Sequence, residues 1–277
     1  MSHWSLIVFA ALLSACAPNV KDSRAEGSFE IPAGTTEVRV ELEKGQVVIL
    51  PAEDGKVSYE ALVRRGTTKA QDLVLLDSVV AELKVEPGEP GQLNLVGPKV
   101  PTELAERDFG AAVVLRISMR VPEQLDVRLR TGRGSLSVRE RSGSVNLSTD
   151  SGKIELLGIK GKAETFTGNG HHLISRQLGS VDLRSESGDV VAYFDAIGPE
   201  GISIQAGGGN VQLKLPESPN CELEAEVQLG EIAAGFQGVE DVSVGERGRR
   251  VTGTLGSGGV PVRVSAKIGN VSIRSDK

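Results

Sequence analysis

Along the second half of the chain, apolar and polar positions alternate in short runs: Leu136 and Val138, Val145 and Leu147, Ile154 and Leu156, Val181 and Leu183, Val190 and Ala192. A period of two puts every second side chain on one face of an extended backbone, so each run predicts a β-strand with one face buried. A glycine stands two residues ahead of each run. Glycines occupy positions 134, 143, 152, 161, 170, 179 and 188, nine residues apart, with looser echoes at Gly201, Gly209, Gly230 and Gly269. Fixed self-similarity marks a repeat architecture, and a glycine at a corner supplies the backbone freedom that a sharp bend needs.

Two arrangements accommodate the pattern. In a parallel β-solenoid, two nine-residue units make one coil, coils stack about 4.8 Å apart, and position i lies beside i+18. In an antiparallel β-sandwich, each unit pairs with the next through a tight turn. The corners "SESGDV", "GGGNV" and "KIGNV" are not consistent two-residue hairpin turns, and hairpins tolerate drift in length. The invariant spacing therefore favours an all-β fold of the parallel β-solenoid (β-helix) type with about 18 to 21 residues per coil, the sandwich being the alternative.

The first half is less regular. Residues 27–65 read as irregular strands with turns at Ala33-Gly34 and Asp54-Gly55. The segment "TTKAQDLVLLDSVVAELKVEPG" predicts a strand because it is β-branched at Val74, Val79, Val80 and Val85. "PKVPTELAERDFG" predicts a loop or short helix. "ESPNCELEAEV" and "GVEDVSVGERGRR" read as insertions that interrupt later coils, and Arg274, Asp276 and Lys277 as charges guarding the last sheet edge.

The N-terminus carries an address. "MSHWSLIVFAALLSAC" has an apolar run from Leu6 to Leu13, too short to span a bilayer and of the length of a secretory signal core. Its end, Leu13-Ser14-Ala15-Cys16, resembles the lipobox of bacterial lipoproteins. That resemblance implies cleavage between Ala15 and Cys16 and lipid attachment at Cys16; Ala17 in place of an aspartate implies the outer membrane, on its periplasmic or surface face. The chain then divides into a signal peptide (1–15), a lipidated tether (16–26) and a solenoid domain (27–277), irregular over 27–114 and regular over 115–277. Cys221 is the only other cysteine, so an intramolecular disulfide is excluded once Cys16 is acylated.

The run "LRISMRVPEQLDVRLRTGRGSLSVRERSGSVNLSTDSGKIEL", the unit "SESGDVVAYF" and the ending "GSGGVPVRVSAKIGNVSIRSD" resemble a bacterial domain family of unknown function labelled "putative adhesin", whose members are parallel β-solenoids. The resemblance implies a solenoid and an envelope role. It transfers no catalytic residue.

Candidate chemistry is sparse. A formal charge of −6 with interspersed signs leaves no footprint for nucleic acid. The glycine repeat lacks the aspartate per unit that a calcium-binding β-roll requires, and only His171 and His172 follow the leader as histidines, too few for a metal site; no cofactor is expected. His172 falls in the inward column and is expected to be a buried, hydrogen-bonded core residue or a register slip. Stacking by 18 places Asn146, Glu164 and Asp182 in one outward column, where a carboxylate pair is the minimal equipment of a glycoside hydrolase. Lys153, His171 and Asp189 form a second polar column. Arg128, Arg130, Arg133, Arg139 and Arg141 make a candidate patch for an anionic ligand. The chain is thus expected to be a non-enzymatic, adhesin-like envelope protein held to the membrane by lipid on Cys16. Its expected partners are an envelope glycan, a glycolipid or a protein. The alternatives are a polysaccharide-active enzyme using Glu164 and Asp182, and an envelope-stress or assembly component that binds a protein.

Overall fold

The computed structural model describes residues 19–275 apart from 53, 54, 78, 80–82, 87, 108–110, 238 and 245–247. Ala15, Cys16, Asp54, Val80, Asp276 and Lys277 lie outside the described residues. The N-terminal part contains β1 (Asn19–Phe29), β2 (Glu37–Ala52), β3 (Val57–Thr67), a 3-10 turn (Ala70–Asp72), α1 (Leu73–Asp77), β4 (Lys84–Glu86), β5 (Gln92–Val96), α2 (Thr102–Arg107) and β6 (Ala112–Pro122). Strands then come in pairs: β7 (Asp126–Arg133) with β8 (Leu136–Arg141), β9 (Val145–Ser151) with β10 (Ile154–Ile159), and β11 (Ala163–Asn169) with β12 (His172–Gln177). Next are β13 (Val181–Ser187) with β14 (Val190–Phe194) and β15 (Ile202–Gly208) with β16 (Val211–Leu215). The last stretch holds β17 (Cys221–Leu229), β18 (Ile232–Ala234), β19 (Glu240–Val244), β20 (Gly248–Leu255), β21 (Val260–Ile268) and β22 (Val271–Ser275).

Odd strands from β7 to β15 stack in parallel as sheet I, and their even partners stack in parallel as sheet II. The register is the predicted one: Ile154 lies beside Leu136 on one side and His172 on the other, 18 residues each way. Where a longer corner intervenes the step becomes 21, as between Val181 and Ile202. Alternate residues of both sheets, such as Leu129, Leu147, Leu183 and Ile204 from sheet I and Leu136, Ile154, Val190 and Val211 from sheet II, meet in one continuous core. The fold is a parallel β-solenoid rather than a sandwich of hairpins.

The glycine period has a steric cause. At the corner from sheet I to sheet II, a Cβ on Gly152 would lie 1.8 Å from the carbonyl oxygen of Gly134, and one on Gly170 would lie 1.7 Å from that of Gly152. Coils approach too closely there for any side chain. The same ladder continues through Gly188, Gly209, Gly269 and Gly230, which absorbs three of the looser echoes. Beside it runs a ladder of side chains: His171 Nδ1 accepts a hydrogen bond from the Asp189 amide, Asp189 Oδ1 from that of Asn210, Asn210 Oδ1 from that of Asn270, and Asn270 Oδ1 from that of Glu231.

Chain order and spatial order part company at both ends. The first half of β2 lies between β5 and β7 in sheet I, and its second half between β6 and β8 in sheet II. At the other end, β21 lies between β15 and β17, and β22 between β16 and β18. Arg274 is therefore in an interior coil and guards no edge. Antiparallel strands close the stack instead: β4 on β5, β1 on β3 and β3 on β6 at one end, β20 on β17 and β19 on β20 at the other.

Three further expectations are corrected. Residues 73–77 are helical because, at the end of the stack, a helix satisfies its own backbone and buries Leu76 over the core; among Val74, Val79 and Val85, only Val85 lies in a strand. "CELEAEV" is no insertion, since β17 is a coil strand in register with β21, whereas the second interruption does form the β19–β20 hairpin. The ordered body also begins before Gly27: β1 pairs with β3 from Asn19 onward, so most of the expected tether is strand. The segment 98–110 does contain a short helix, α2.

Candidate functional site

Sheet I turns a polar outer face to solvent. In register across it stand Arg128, Asn146, Glu164, Asp182, Ser203 and Arg263. The structure thus brings Glu164 and Asp182 to adjacent coils, as stacking requires. Each is engaged separately. Glu164 accepts a hydrogen bond from Asn146 Nδ2 at 3.0 Å and pairs with Lys162 at 3.2 Å; Lys162 also meets Glu200 at 2.8 Å, and these bonds raise its pKa. Asp182 meets Arg184 at 3.5 Å. Glu164 is exposed and Asp182 half-buried.

A second row runs beside the first. Phe166, Arg184, Gln205, Ser265 and Glu226 follow one another in register, and with Glu186 and Lys267 they line a shallow depression of about 490 Å³. Its floor dips at Gly207, where a Cβ would lie 2.3 Å from the Glu186 carbonyl oxygen. A neighbouring depression of about 370 Å³ is lined by Glu222, Glu224, Arg250, Thr252, Thr254 and Arg263; Arg250 and Arg263 both meet Glu224, at 2.5 and 3.7 Å. On the outer face of sheet II, near the N-terminal end, Arg24, Glu26, Glu60, Leu62, Arg116 and Ser118 bound a hollow of about 670 Å³. None of these three sites was singled out in the sequence, although counting two positions outward in each coil would have found the Phe166 row.

The arginine patch divides. Arg128, Arg130 and Arg133 are exposed on sheet I, with Arg128 3.5 Å from Glu37; Arg139 is on sheet II. Arg141 is fully buried and donates to the carbonyls of Val121, Pro122 and Leu125 at 2.5–3.2 Å. Burial lowers its pKa to about 10, the charges of Glu123 and Asp126 opposing. The reason it leaves the surface is a bulge: Glu140 has φ 48°, and this left-handed residue shifts the alternation by one, turning Arg141 inward. The next coils repeat the device with Gly158 at φ 69° and Arg176 at φ 53°.

His172 is buried in register between Ile154 and Val190, so the column does not slip. Neither ring nitrogen has a hydrogen-bond partner among the described residues. Burial, and then the neighbouring His171, push its pKa down to about 4. Thr165, Gln177 and Ser185 are likewise buried polar residues. His171, Lys153 and Asp189 follow one another at that corner, His171 and Lys153 exposed and Asp189 half-buried. Among the described residues no group of His, Cys, Asp and Glu could hold a metal ion. Cys221 is fully buried and its thiol is pushed up to about 11. No described helix is long and apolar enough to cross a membrane.

The fold is similar to three solved structures. A "putative cell adhesion protein" from Clostridium sporogenes is 13% identical, covering 92% of this chain and all of its own, with a TM-score of 0.35. A "putative adhesin" from Bacteroides fragilis is 12% identical, covering 92% and 97%, with a TM-score of 0.38. A "putative lipid binding protein" from Parabacteroides distasonis is 11% identical, covering 92% and 97%, with a TM-score of 0.33. No curated protein matches the chain. Residues 115–274 match the family described as Toastrack DUF4097, and on this match, over the same stretch as the glycine ladder and the stacked coils, the chain belongs to that family.

Proposed function

We propose that this is a lipid-anchored envelope protein whose solenoid presents the outer face of sheet I as a rigid, non-enzymatic platform for an extended polar polymer, an envelope glycan by chemistry. The supporting observation is the Phe166 row: beyond Phe166, hydrogen-bonding and charged side chains recur on four successive coils, about 4.8 Å apart, along a depression open at its surface. A repeating surface suits a repeating ligand, whereas a small metabolite needs an enclosing pocket. Phe166 offers one apolar ring for a sugar face, and Arg184, Gln205 and Lys267 supply donors.

The pairing of Glu164 with Lys162 and Asn146, and of Asp182 with Arg184, supports binding over hydrolysis. A glycosidase acid must hold a proton near neutral pH, which neighbouring cations oppose. The test incubates the soluble mature chain with peptidoglycan fragments, glycolipids and polysaccharides, measures binding, and weighs each ligand afterwards by mass spectrometry. Saturable binding of an intact glycan that weakens about tenfold (1.4 kcal/mol) in Arg184→Ala supports the platform. Glycan cleavage abolished by Glu164→Gln would establish the hydrolase instead. Binding of no glycan, with a protein crosslinked to this face in cells, would establish the protein-partner reading.

A further inference from the structure

We infer that the N-terminal end of the solenoid is a membrane-contacting surface, and that the protein stands end-on upon the bilayer that holds its acyl chains. This inference rests on the reading of Cys16 as the lipidated residue. Three residue steps separate Cys16 from Asn19, the start of β1, and a fully extended chain covers at most about 3.6 Å per step. The first strand is therefore held within about 11 Å of the anchor.

That end is also where exposed aliphatic side chains gather. Val20 in β1 is 47% exposed, Val74 and Leu75 in α1 are 70% and 43% exposed, and Val85 in β4 is 55% exposed. These are the outermost elements of the N-terminal end, β1 in sheet II and β4 in sheet I, with α1 beside them. Helix α1 is fixed against β1 by Lys21 Nζ and Asp77 Oδ2 at 2.7 Å, and Arg65 ties Ser23 of β1 to the carbonyl of Val79 just beyond the helix, at 2.7 and 2.8 Å. Leu76 turns into the core while its neighbours Val74 and Leu75 turn out. Lys69 and Lys84, exposed at the starts of the 3-10 turn and β4, add positive charge suited to anionic headgroups. Among the described residues the other exposed large aliphatics, Leu178, Leu229 and Ile268, belong to corners and strand ends along the stack.

Aliphatic side chains on the one end that a short tether keeps at a lipid surface meet lipid at high effective concentration. A second attachment fixes orientation, which acyl chains on a flexible link would not. Sheet I then rises from the membrane with its rows stacked along the normal, and the β19–β20 hairpin begins ten strand steps from β4, about 50 Å out.

The test uses the mature acylated chain in phosphatidylethanolamine and phosphatidylglycerol vesicles containing lipid spin-labelled near the headgroup. A fluorophore is placed on Val74→Cys or, at the far end, on Glu240→Cys; native Cys221 is buried and unlabelled. Quenching several-fold stronger at position 74 than at 240, and reduced at a label on Val20→Cys by the pair Val74→Asp and Leu75→Asp, is the expected result. Equal quenching at 74 and 240 in acylated protein overturns the membrane-contact inference and leaves the anchor standing. Mass spectrometry finding no acyl chain at the mature N-terminus overturns the anchor and this inference with it.

Discussion

Gly152 illustrates how much of this fold is decided by single atoms. The carbonyl oxygen of Gly134 occupies the space that a Cβ would need, so Gly152→Ala must push two coils apart and strain a backbone at φ 153°. Gly34 has φ 84° but nothing within 4 Å, so its alanine variant should cost only the left-handed penalty of about 1–2 kcal/mol. Thermal denaturation should rank Gly152→Ala well below Gly34→Ala; equal losses would refute the ladder's steric origin. Arg141 is the polar counterpart. Replacing it with Met removes donors from three carbonyls and should cost about 3 kcal/mol, only partly recovered by Lys, whose single ammonium cannot span them. His172 adds a pH dependence. The folded state holds the ring neutral down to about pH 4 while the unfolded chain takes up a proton near 6.5. Its contribution is therefore intact above pH 6.5 and is lost as pH falls from there to 4, about 3 kcal/mol in all. Denaturant titrations at pH 7 and 5 should give a smaller difference for His172→Leu than for the native chain, by about 2 kcal/mol; an unchanged difference would assign the acid sensitivity to other groups.

At the scale of elements, the interleaved ends are the main finding. Because β21 and β22 separate the β15–β16 coil from the β17–β18 coil, a chain ending at residue 259 leaves two sheet edges without their parallel partners on each side. Such a truncation should lose cooperative unfolding and become protease-sensitive well upstream of the cut, around residues 202–234. Removing only the β19–β20 hairpin should leave the remaining coils folded while exposing β17, with aggregation as the readout. A sequential solenoid, whose last coil is its C-terminus, would show the opposite ranking. The corner ladder of Asp189, Asn210 and Asn270 works at the same scale, since each side chain caps the amide of the next coil. Asn270→Ala should cost about 1 kcal/mol through the unpaired Glu231 amide.

For the whole molecule, the two sheets share a core but not a surface. The outer face of sheet I carries rows of paired charges, whereas sheet II exposes the half-buried aliphatics Leu50, Leu157 and Val191. Ion pairs at such exposed positions contribute little to stability, so the charged rows are substitutable without unfolding. Arg184→Ala should accordingly shift the melting temperature by no more than about 2 °C, consistent with a surface change within ±0.5 kcal/mol. A large loss of stability there would mean that the row is structural and would undercut its assignment to binding.

What the sequence determined by itself is everything carried by short period. Alternation and the nine-residue glycine spacing dictated strands, coil length and register, because backbone pairing forces like positions to stack; Glu164 beside Asp182 followed from counting. Departures from period two were not legible: Glu140 in a left-handed conformation turns Arg141 inward, and only Gly158 in the next coil hints at the bulge. Tertiary structure alone decided the placement of β2, β21 and β22, since strand pairing across 60 residues, as between Ile202 and Val262, leaves no local mark. It likewise decided the helix over Leu73–Asp77, whose Val74, with Val79 just beyond, favours a strand until the stack runs out of partners and the exposed core end needs a lid. Local pattern fixes what each segment pairs like; which segment it meets is settled by burial of the one core they share.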